Sequence, residues 1–318
     1  MSRCSVIITG GASGIGLSIT KHFLQPDTHT TVLDINPETG AKAIEELRAE
    51  VPSADISFEQ CDVSSWESQE AAFSRVYERQ GRIDVVFANA GITEKGGLLP
   101  ENNADPSERP RKPNLATLNV NLVGVTYSVQ LAIHYMSKNM GSASNGLIVC
   151  TASNAGVYPF PMAPMYAASK HGVVGLVRSL ARPLLPLKIR INALAPAVVE
   201  TNIASNLELF KTMVITPMST VTAAVSQFLE DDRLTGKIAE IHGEQVTLAE
   251  PQPYVDSDTE KNIENFWTLR VKIAACKEAK PWKPEDALVQ HSEVRKQHNT
   301  HIGAKDKDPC ATTLENGS

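Results

Sequence analysis

Ser153, Tyr166 and Lys170 fall in one stretch, IVCTASNAGVYPFPMAPMYAASKHG, and carry side chains able to move a proton. Tyr166 and Lys170 are four residues apart. On a helix that spacing stacks both side chains on one face, one turn above the other. An ammonium beside a phenol favours the phenolate, so Tyr166 is expected to titrate below the ordinary value of about 10. A tyrosine tuned in that way takes or gives a proton near neutral pH. Ser153 supplies a hydroxyl from a neighbouring strand end. Y-x-x-x-K also occurs on ordinary surface helices, so the pattern draws its weight from the elements around it.

Those elements begin at the N-terminus. SVIIT, residues 5–9, is a β-branched run and reads as a buried strand. Gly10-Gly11-Ala12-Ser13-Gly14-Ile15-Gly16 follows, then a helical stretch, LSITKHFL, that stops before Pro26. Strand, glycine turn and helix are the context a nucleotide-binding loop requires. Glycines let the backbone approach a pyrophosphate, and the helix N-terminus offers free N–H groups. A flexible Gly/Ser turn would look similar in isolation. The next strand, TTVLD, ends at Asp34, 24 residues after Gly10. A carboxylate there accepts hydrogen bonds from the adenosine ribose hydroxyls and repels a 2′-phosphate. Neither Ile35 nor Ser13 offers a positive charge to such a phosphate, so the reading favours NAD over NADP. A strand-end Asp that merely caps its own turn is the alternative.

Strands and helices alternate along most of the chain. Strands are expected near 5–9, 29–34, 56–61, 83–88, 146–151, 188–194 and 237–242, and helices near 14–25, 37–50, 66–80, 114–140, 164–183 and 218–229. Alternation of this kind predicts an α/β fold, a Rossmann-like doubly wound parallel sheet of about seven strands with helices on both faces. Sites in such sheets lie beyond the carboxyl ends of the strands. Gly10, Asp34, Asp62, Asn89, Ser153 and Pro196 all follow strands and are expected on one rim. Residues 1–250 read as one dinucleotide-binding catalytic domain and 251–318 as a C-terminal extension. The extension holds one helix near 258–278, with Ile263, Phe266, Trp267 and Ile273 on an apolar face, and then a polar segment, 284–318, that reads as disordered. The Pro-rich stretch 93–114 reads as a loop, either a solvent-exposed insertion or a rim over the site.

Composition narrows the function classes. The chain has 318 residues, and 42% apolar content is enough for a sizeable core. A net charge of −6 leaves no basic footprint for nucleic acid. The longest apolar runs are broken by Gly, Asn and Ser, so no membrane span is expected. MSRCSVIITGG enters the first strand at once, and the five cysteines show no C-x-x-C pair. The expectation is a cytoplasmic protein with reduced thiols. No His/Cys cluster has metal spacing, so no metal is expected.

With these motifs in place, the chain resembles the short-chain dehydrogenase/reductase family over about residues 4–245. Thr9-Gly10-x-x-x-Gly14-Ile15-Gly16 is similar to that family's cofactor loop. Cys61-Asp62-Val63 resembles its strand-end acid at the adenine edge, and Asn89-Ala90-Gly91 its motif after the fourth strand. Asn121 in NVNLVGV falls on the family's helical catalytic asparagine. It is chosen over Asn119 because Leu122-Val123-Gly124 follows it. Ser153, Tyr166 and Lys170 fall on the remaining catalytic positions. Pro196, Val199 and Thr201 resemble the segment that contacts the nicotinamide amide. Departures from the pattern are Ala88, Ala152 and Ala197, and none removes a reacting group.

The resemblance implies an enzyme that interconverts a secondary alcohol and a ketone with a nicotinamide dinucleotide. Tyr166 is the base. Lys170 lowers its pKa and, as the resemblance implies, holds the nicotinamide ribose. Ser153 bonds the substrate oxygen, and Asn121 fixes a water leading from Lys170. Two segments flank the substrate in the family. Here they are mostly apolar: Val157, Tyr158, Phe160, Pro161, Met162 and Met165, then Ile203, Leu207, Leu209, Phe210, Met213, Val214 and Met218. An apolar small molecule is therefore expected. Asp34, RSLARPLLPLKIRINALAP and DDRLTGKIAEI are similar to the 15-hydroxyprostaglandin dehydrogenase branch and its fungal relatives in specialised metabolism. The alternatives are a ketoreductase running in reverse with NADH or NADPH, and a dinucleotide sensor or non-redox protein on the same fold. The helices at 114–140 and 164–183 pair between subunits in the family, which implies a homodimer or homotetramer.

Overall fold

A computed structural model describes residues 4–98, 109–139, 145–201 and 212–277. One compact unit, Met1–Glu250, contains the sheet, and a second, Pro251–Ser318, contains one helix among its described residues. In the first unit the strands are β1 (Cys4–Thr9), β2 (Thr28–Asp34), β3 (Asp55–Gln60), β4 (Val85–Ala88), β5 (Gly146–Thr151), β6 (Ile189–Pro196), β7 (Ile238–His242) and β8 (Gln245–Ala249). They form a single sheet in the order β3-β2-β1-β4-β5-β6-β7-β8. Every pairing is parallel except the last, in which β8 runs antiparallel to β7.

That eighth strand is absent from the sequence expectation of seven. It is built by a tight hairpin in which Gly243 takes a φ of 52°, a conformation that disfavours a side chain. The order reverses between β1 and β4, which opens a crevice at the carboxyl ends of those two strands.

The helices are α1 (Gly14–His22), α2 (Pro37–Glu50), α3 (Trp66–Gln80), α4 (Ala116–Leu118), α5 (Val125–Met136), α6 (Pro164–Leu184), α7 (Met218–Glu230) and α8 (Ser257–Lys277). Alternation along β1 divides the core. Val6 and Ile8 pack with Ile19 of α1, with Phe23 just after it, and with Val221, Val225 and Phe228 of α7. Ile7 points the other way, into a cluster with Phe73 and Val76 of α3, Val125 and Val129 of α5, and Val173 and Val177 of α6. Each such side chain contributes about 1.5–3 kcal/mol by leaving water. A third cluster joins Val32 and Ile56 to Ala43, Ile44 and Leu47 of α2.

The single long helix expected over 114–140 is interrupted. Between α4 and α5 the chain makes a π turn, Asn119–Gly124, with Asn121 inside it. Such turns insert a residue into the helical ladder and recur at functional sites. Gly124, at its end, lets this segment approach Val63 closely, since a Cβ there would stand 2.8 Å from the Val63 oxygen.

The apolar runs are longer than their interrupting Asn and Gly suggest. By length and composition alone, Ala116–Met136 could cross a membrane. Its Val125, Val129, Ala132 and Met136 are instead buried in the main core cluster, as expected of a helix packed on a sheet.

In the second unit, α8 begins where the Asp256 side chain accepts a hydrogen bond from Thr259 N at 2.7 Å. The expected polar segment 284–318 lies outside the described residues.

Candidate active site

A cleft of about 480 Å³ opens at the carboxyl ends of the strands. It is lined by Gly10, Ser13, Gly14, Ile15, Gly16, Asp34, Ile35, Asp62, Val63, Asn89, Ala90, Gly91, Ser153, Tyr166, Lys170, Pro196, Val199 and Thr201. Of the catalytic and cofactor-binding residues expected from the sequence, only Thr9 and Asn121 are not on that lining. Their side chains are occupied behind it. Thr9 Oγ1 accepts from the main-chain N–H groups of Asn89 and Ala90, at 2.9 and 3.0 Å, and donates to the Phe87 oxygen. Asn121 Oδ1 accepts from Ile92 N, and its Nδ2 donates to Ile92 O, both at 2.8 Å, and to Ser169 Oγ at 3.3 Å. Both residues hold the site's main chain in place. The cleft also receives Cys61, Ala152 and Ala197 from the motifs, Thr93 and Lys95 from the start of the Pro-rich stretch, and Ile92, Val120 and Thr151, which sequence reasoning had not placed there.

The glycine loop fits a pyrophosphate. Gly10 and Gly14 have φ of 63° and 52°, and a Cβ on Gly10 would lie 2.9 Å from Ala90 Cα. A Cβ on Gly16 would lie 2.0 Å from the Gly10 oxygen. No side chain larger than hydrogen fits there, so main-chain N–H groups and the start of α1 face the cleft.

Asp34, at the end of β2, reaches back to this loop. Its Oδ2 accepts from Ala12 N and its Oδ1 from Asn36 N, each at 3.3 Å. The Asp62 carboxylate is partly occupied, with Oδ1 accepting from Ser64 N at 2.8 Å and from Ser64 Oγ at 2.7 Å. Asn89 stitches three strand ends together. Its Nδ2 donates to Thr9 O at 3.0 Å, and its Oδ1 accepts from Thr151 Oγ1 at 3.0 Å.

Opposite the loop, Tyr166 and Lys170 stand on one face of α6 and Ser153 just beyond β5. Lys170 Nζ donates to the Thr151 oxygen at 2.7 Å and lies 5.6 Å from the centre of the Tyr166 ring. A Cβ on Gly91 would meet both Asn121 Oδ1, at 3.3 Å, and Lys170 Nζ, at 3.5 Å, so these groups converge behind that glycine.

One expectation is overturned. The Tyr166 phenol is held above its ordinary value, not below it. Burial is the larger cause, and a hydrogen bond with Ser153 acts in the opposite direction. Burial also pulls Lys170 down to about 8. Loss of hydration penalises phenolate and ammonium alike, which raises the phenol and lowers the lysine. Cys61 and Cys150 are pushed up to about 11 and about 12 by burial, which keeps both thiols neutral and makes them packing groups.

Phe160 rests against Tyr166 with ring centres 6.4 Å apart. Tyr158, Phe160 and Met162, in the segment between Ser153 and Tyr166, are exposed. Ile203, Leu207, Leu209 and Phe210 of the second expected substrate segment lie outside the described residues, as do residues 99–108 of the Pro-rich stretch.

A sequence model of the short chain dehydrogenases matches residues 5–212. The chain belongs to the short-chain dehydrogenase/reductase family. The short-chain dehydrogenase/reductase prx7 of Penicillium rubens is 34% identical over 197 residues, 60% of this chain and 67% of that protein. The NAD(+) 15-hydroxyprostaglandin dehydrogenase of Rattus norvegicus is 31% identical over 254 residues, 74% of this chain and 89% of that one. Among solved structures, an actinorhodin polyketide ketoreductase variant with NADPH is similar with a TM-score of 0.65 and 26% identity, covering 76% of this chain and 96% of that chain. This short-chain dehydrogenase/reductase is thus an oxidoreductase acting on an alcohol or ketone group of a small molecule with a nicotinamide dinucleotide.

Proposed function

We propose that this enzyme is an NAD-dependent dehydrogenase that oxidises a secondary alcohol on an apolar small molecule of the specialised-metabolite kind. The observation that carries the reading is one cleft wall bearing Gly10, Gly14, Gly16 and Asp34 and another bearing Ser153, Tyr166 and Lys170. Asp34 supports NAD: its carboxylate suits ribose hydroxyls and disfavours a 2′-phosphate. Phe160, exposed beside Tyr166, and the exposed Tyr158 and Met162 of the same segment support an apolar substrate.

The residues divide the work. The glycine loop and the start of α1 hold the pyrophosphate, and Asp34 the adenosine ribose. The nicotinamide, when bound, supplies the hydride acceptor. Tyr166 Oη, as the phenolate that burial disfavours and the Ser153 hydrogen bond favours, takes the proton of the substrate hydroxyl. Ser153 Oγ bonds the same oxygen and stabilises the charge that develops there. Lys170, still protonated at neutral pH with a pKa of about 8, supplies positive charge behind Tyr166. Pro196, Val199 and Thr201 close the end of the cleft where the nicotinamide amide is read to sit.

Absorbance at the NADH band, with NAD and a panel of hydrophobic secondary alcohols, tests the reading. Tyr166→Phe should cost roughly 100- to 10,000-fold in kcat while NAD still binds. Substantial activity in that variant rejects Tyr166 as the base. Reduction of a ketone with NADPH is the second reading, favoured by the NADPH in the ketoreductase neighbour. A clear preference for NADPH in the same assay would select it. We read the protein as a cytoplasmic homodimer or homotetramer joined through the helices around α5 and α6, which light scattering of the purified protein tests.

A further inference from the structure

The head of α6 lacks its own cap. Ala163, at the N-cap, has no side-chain acceptor, and Pro164 opens the helix without an N–H. The first main-chain donors are therefore Met165 N and Tyr166 N. Both are satisfied by one residue from a distant loop. Glu94 Oε2 accepts from Tyr166 N at 2.7 Å, and Glu94 Oε1 accepts from Met165 N at 3.2 Å.

The loop that carries Glu94 is pinned on both sides. Ile92 is bonded twice to Asn121, through Oδ1 and Nδ2. Lys95 N donates to Thr117 Oγ1 at 3.0 Å, and Thr117 Oγ1 donates to Thr93 O at 3.2 Å. The far side of Tyr166 is held as well: Ser169 Oγ donates to Tyr166 O at 2.6 Å and accepts from Asn121 Nδ2. The main chain of Tyr166 is thus gripped at its N–H and at its C=O by a network anchored on the π turn. A carboxylate suits this place, because it accepts two N–H bonds at once and carries negative charge at the positive end of a helix.

We infer that Glu94 is a positioning residue that sets the placement of Tyr166 for proton transfer. The inference rests on the reading of Tyr166 as the base. Glu94 stands on the same strap as Gly91, Ile92 and Thr93, which line the cleft. The strap that faces the dinucleotide therefore also fixes the base. Proton transfer is sensitive to such placement, and a displacement of about 1 Å costs up to about 100-fold in rate.

The test uses the full chain, NAD and whichever alcohol of the hydrophobic panel the wild type oxidises fastest. Glu94→Ala, Glu94→Gln and Tyr166→Phe are compared for kcat, KM, NAD binding and Tm. Glu94→Ala is expected to lower kcat roughly 10- to 100-fold. Its KM for the alcohol and its NAD affinity should stay within about 3-fold of wild type. Glu94→Gln keeps one acceptor oxygen and should recover most of the kcat, with little change in Tm. An undiminished kcat in Glu94→Ala overturns the inference, and so does a Glu94→Gln variant that is stable yet no faster than Glu94→Ala. If Tyr166→Phe is inactive while Glu94→Ala is not, only the inference about Glu94 fails. If Tyr166→Phe stays active, or the wild type oxidises none of the panel, the reading of the site falls and the inference with it.

Discussion

Lys170 donates its buried ammonium to the main-chain oxygen of Thr151 at 2.7 Å, so a strand end rather than a carboxylate is its partner. A neutral carbonyl offsets only part of the lost hydration, and Lys170 falls from 10.5 to about 8. The sign of the linkage follows. Between about 8 and 10.5 the unfolded chain binds more protons than the folded one, so this group's contribution to stability rises with pH across that window. Below it, the buried charge costs on the order of 3 kcal/mol. Lys170→Met should abolish catalysis. The wild type should become more stable relative to that variant as pH rises from about 8 to about 10. Urea unfolding of both proteins across that range checks this, and a flat difference would show that the ammonium is not penalised.

Ser153 acts on Tyr166 in the opposite direction to burial. Its hydrogen bond lowers the phenol that burial raises. Oxidation needs the phenolate, so kcat/KM for the alcohol should rise with pH through the titration of Tyr166. Ser153→Ala removes the lowering influence, and its ascending limb should move to higher pH. The plateau should also fall, by roughly 100-fold, because the same hydroxyl stabilises charge on the substrate oxygen. A pH profile of the variant unchanged in position would exclude this coupling.

What the sequence discloses depends on how local the signal is. The glycine loop, Asp34 and the Tyr166–Lys170 spacing are readable because a strand, a turn or one helical face suffices to place each. The parallel sheet follows from alternation. The hairpin strand β8 is harder: it is five residues long, and its one local mark is the positive φ of Gly243. The π turn at Asn121 has no propensity signature. It ends at Gly124, where a Cβ would stand 2.8 Å from the Val63 oxygen, a tertiary contact that the local sequence does not reveal. Glu94 meets Tyr166 across 72 residues of chain, and no periodicity connects them. The direction of the Tyr166 shift escaped because it is set by burial, whereas spacing registers only the neighbouring charge.

Asp34 sits between the glycine loop and α2, holding Ala12 N and Asn36 N. Its charge should matter to cofactor choice as well as to this turn. Asp34→Ala should weaken NAD and strengthen NADP, shifting their ratio of kcat/KM by about 10-fold or more, since like-charge repulsion of that kind is worth more than 1.4 kcal/mol. Steady-state kinetics with both dinucleotides checks it. An unchanged ratio would assign Asp34 to the turn alone.

Gly16 separates the cofactor loop from simple helix propensity. A Cβ there would fall 2.0 Å from the Gly10 oxygen and 2.7 Å from Asn89 Nδ2. Neither atom can retreat cheaply, because Gly10 N is bonded to Leu33 O at 2.7 Å and Asn89 ties Thr9 to Thr151. Gly16→Ala should therefore move the loop, costing about 1–3 kcal/mol of stability and at least about 10-fold in dinucleotide affinity. Gly175 provides the contrast. It lies within α6 and a Cβ there would meet nothing within 4 Å. Gly175→Ala should gain about 0.5–1 kcal/mol through helix propensity and leave dinucleotide binding unchanged. Thermal melts and NAD titrations of the two variants, side by side, distinguish a loop shaped for the cofactor from one that tolerates any small residue. Equal NAD affinities in the two would reject the cradle assigned to Gly10–Gly16.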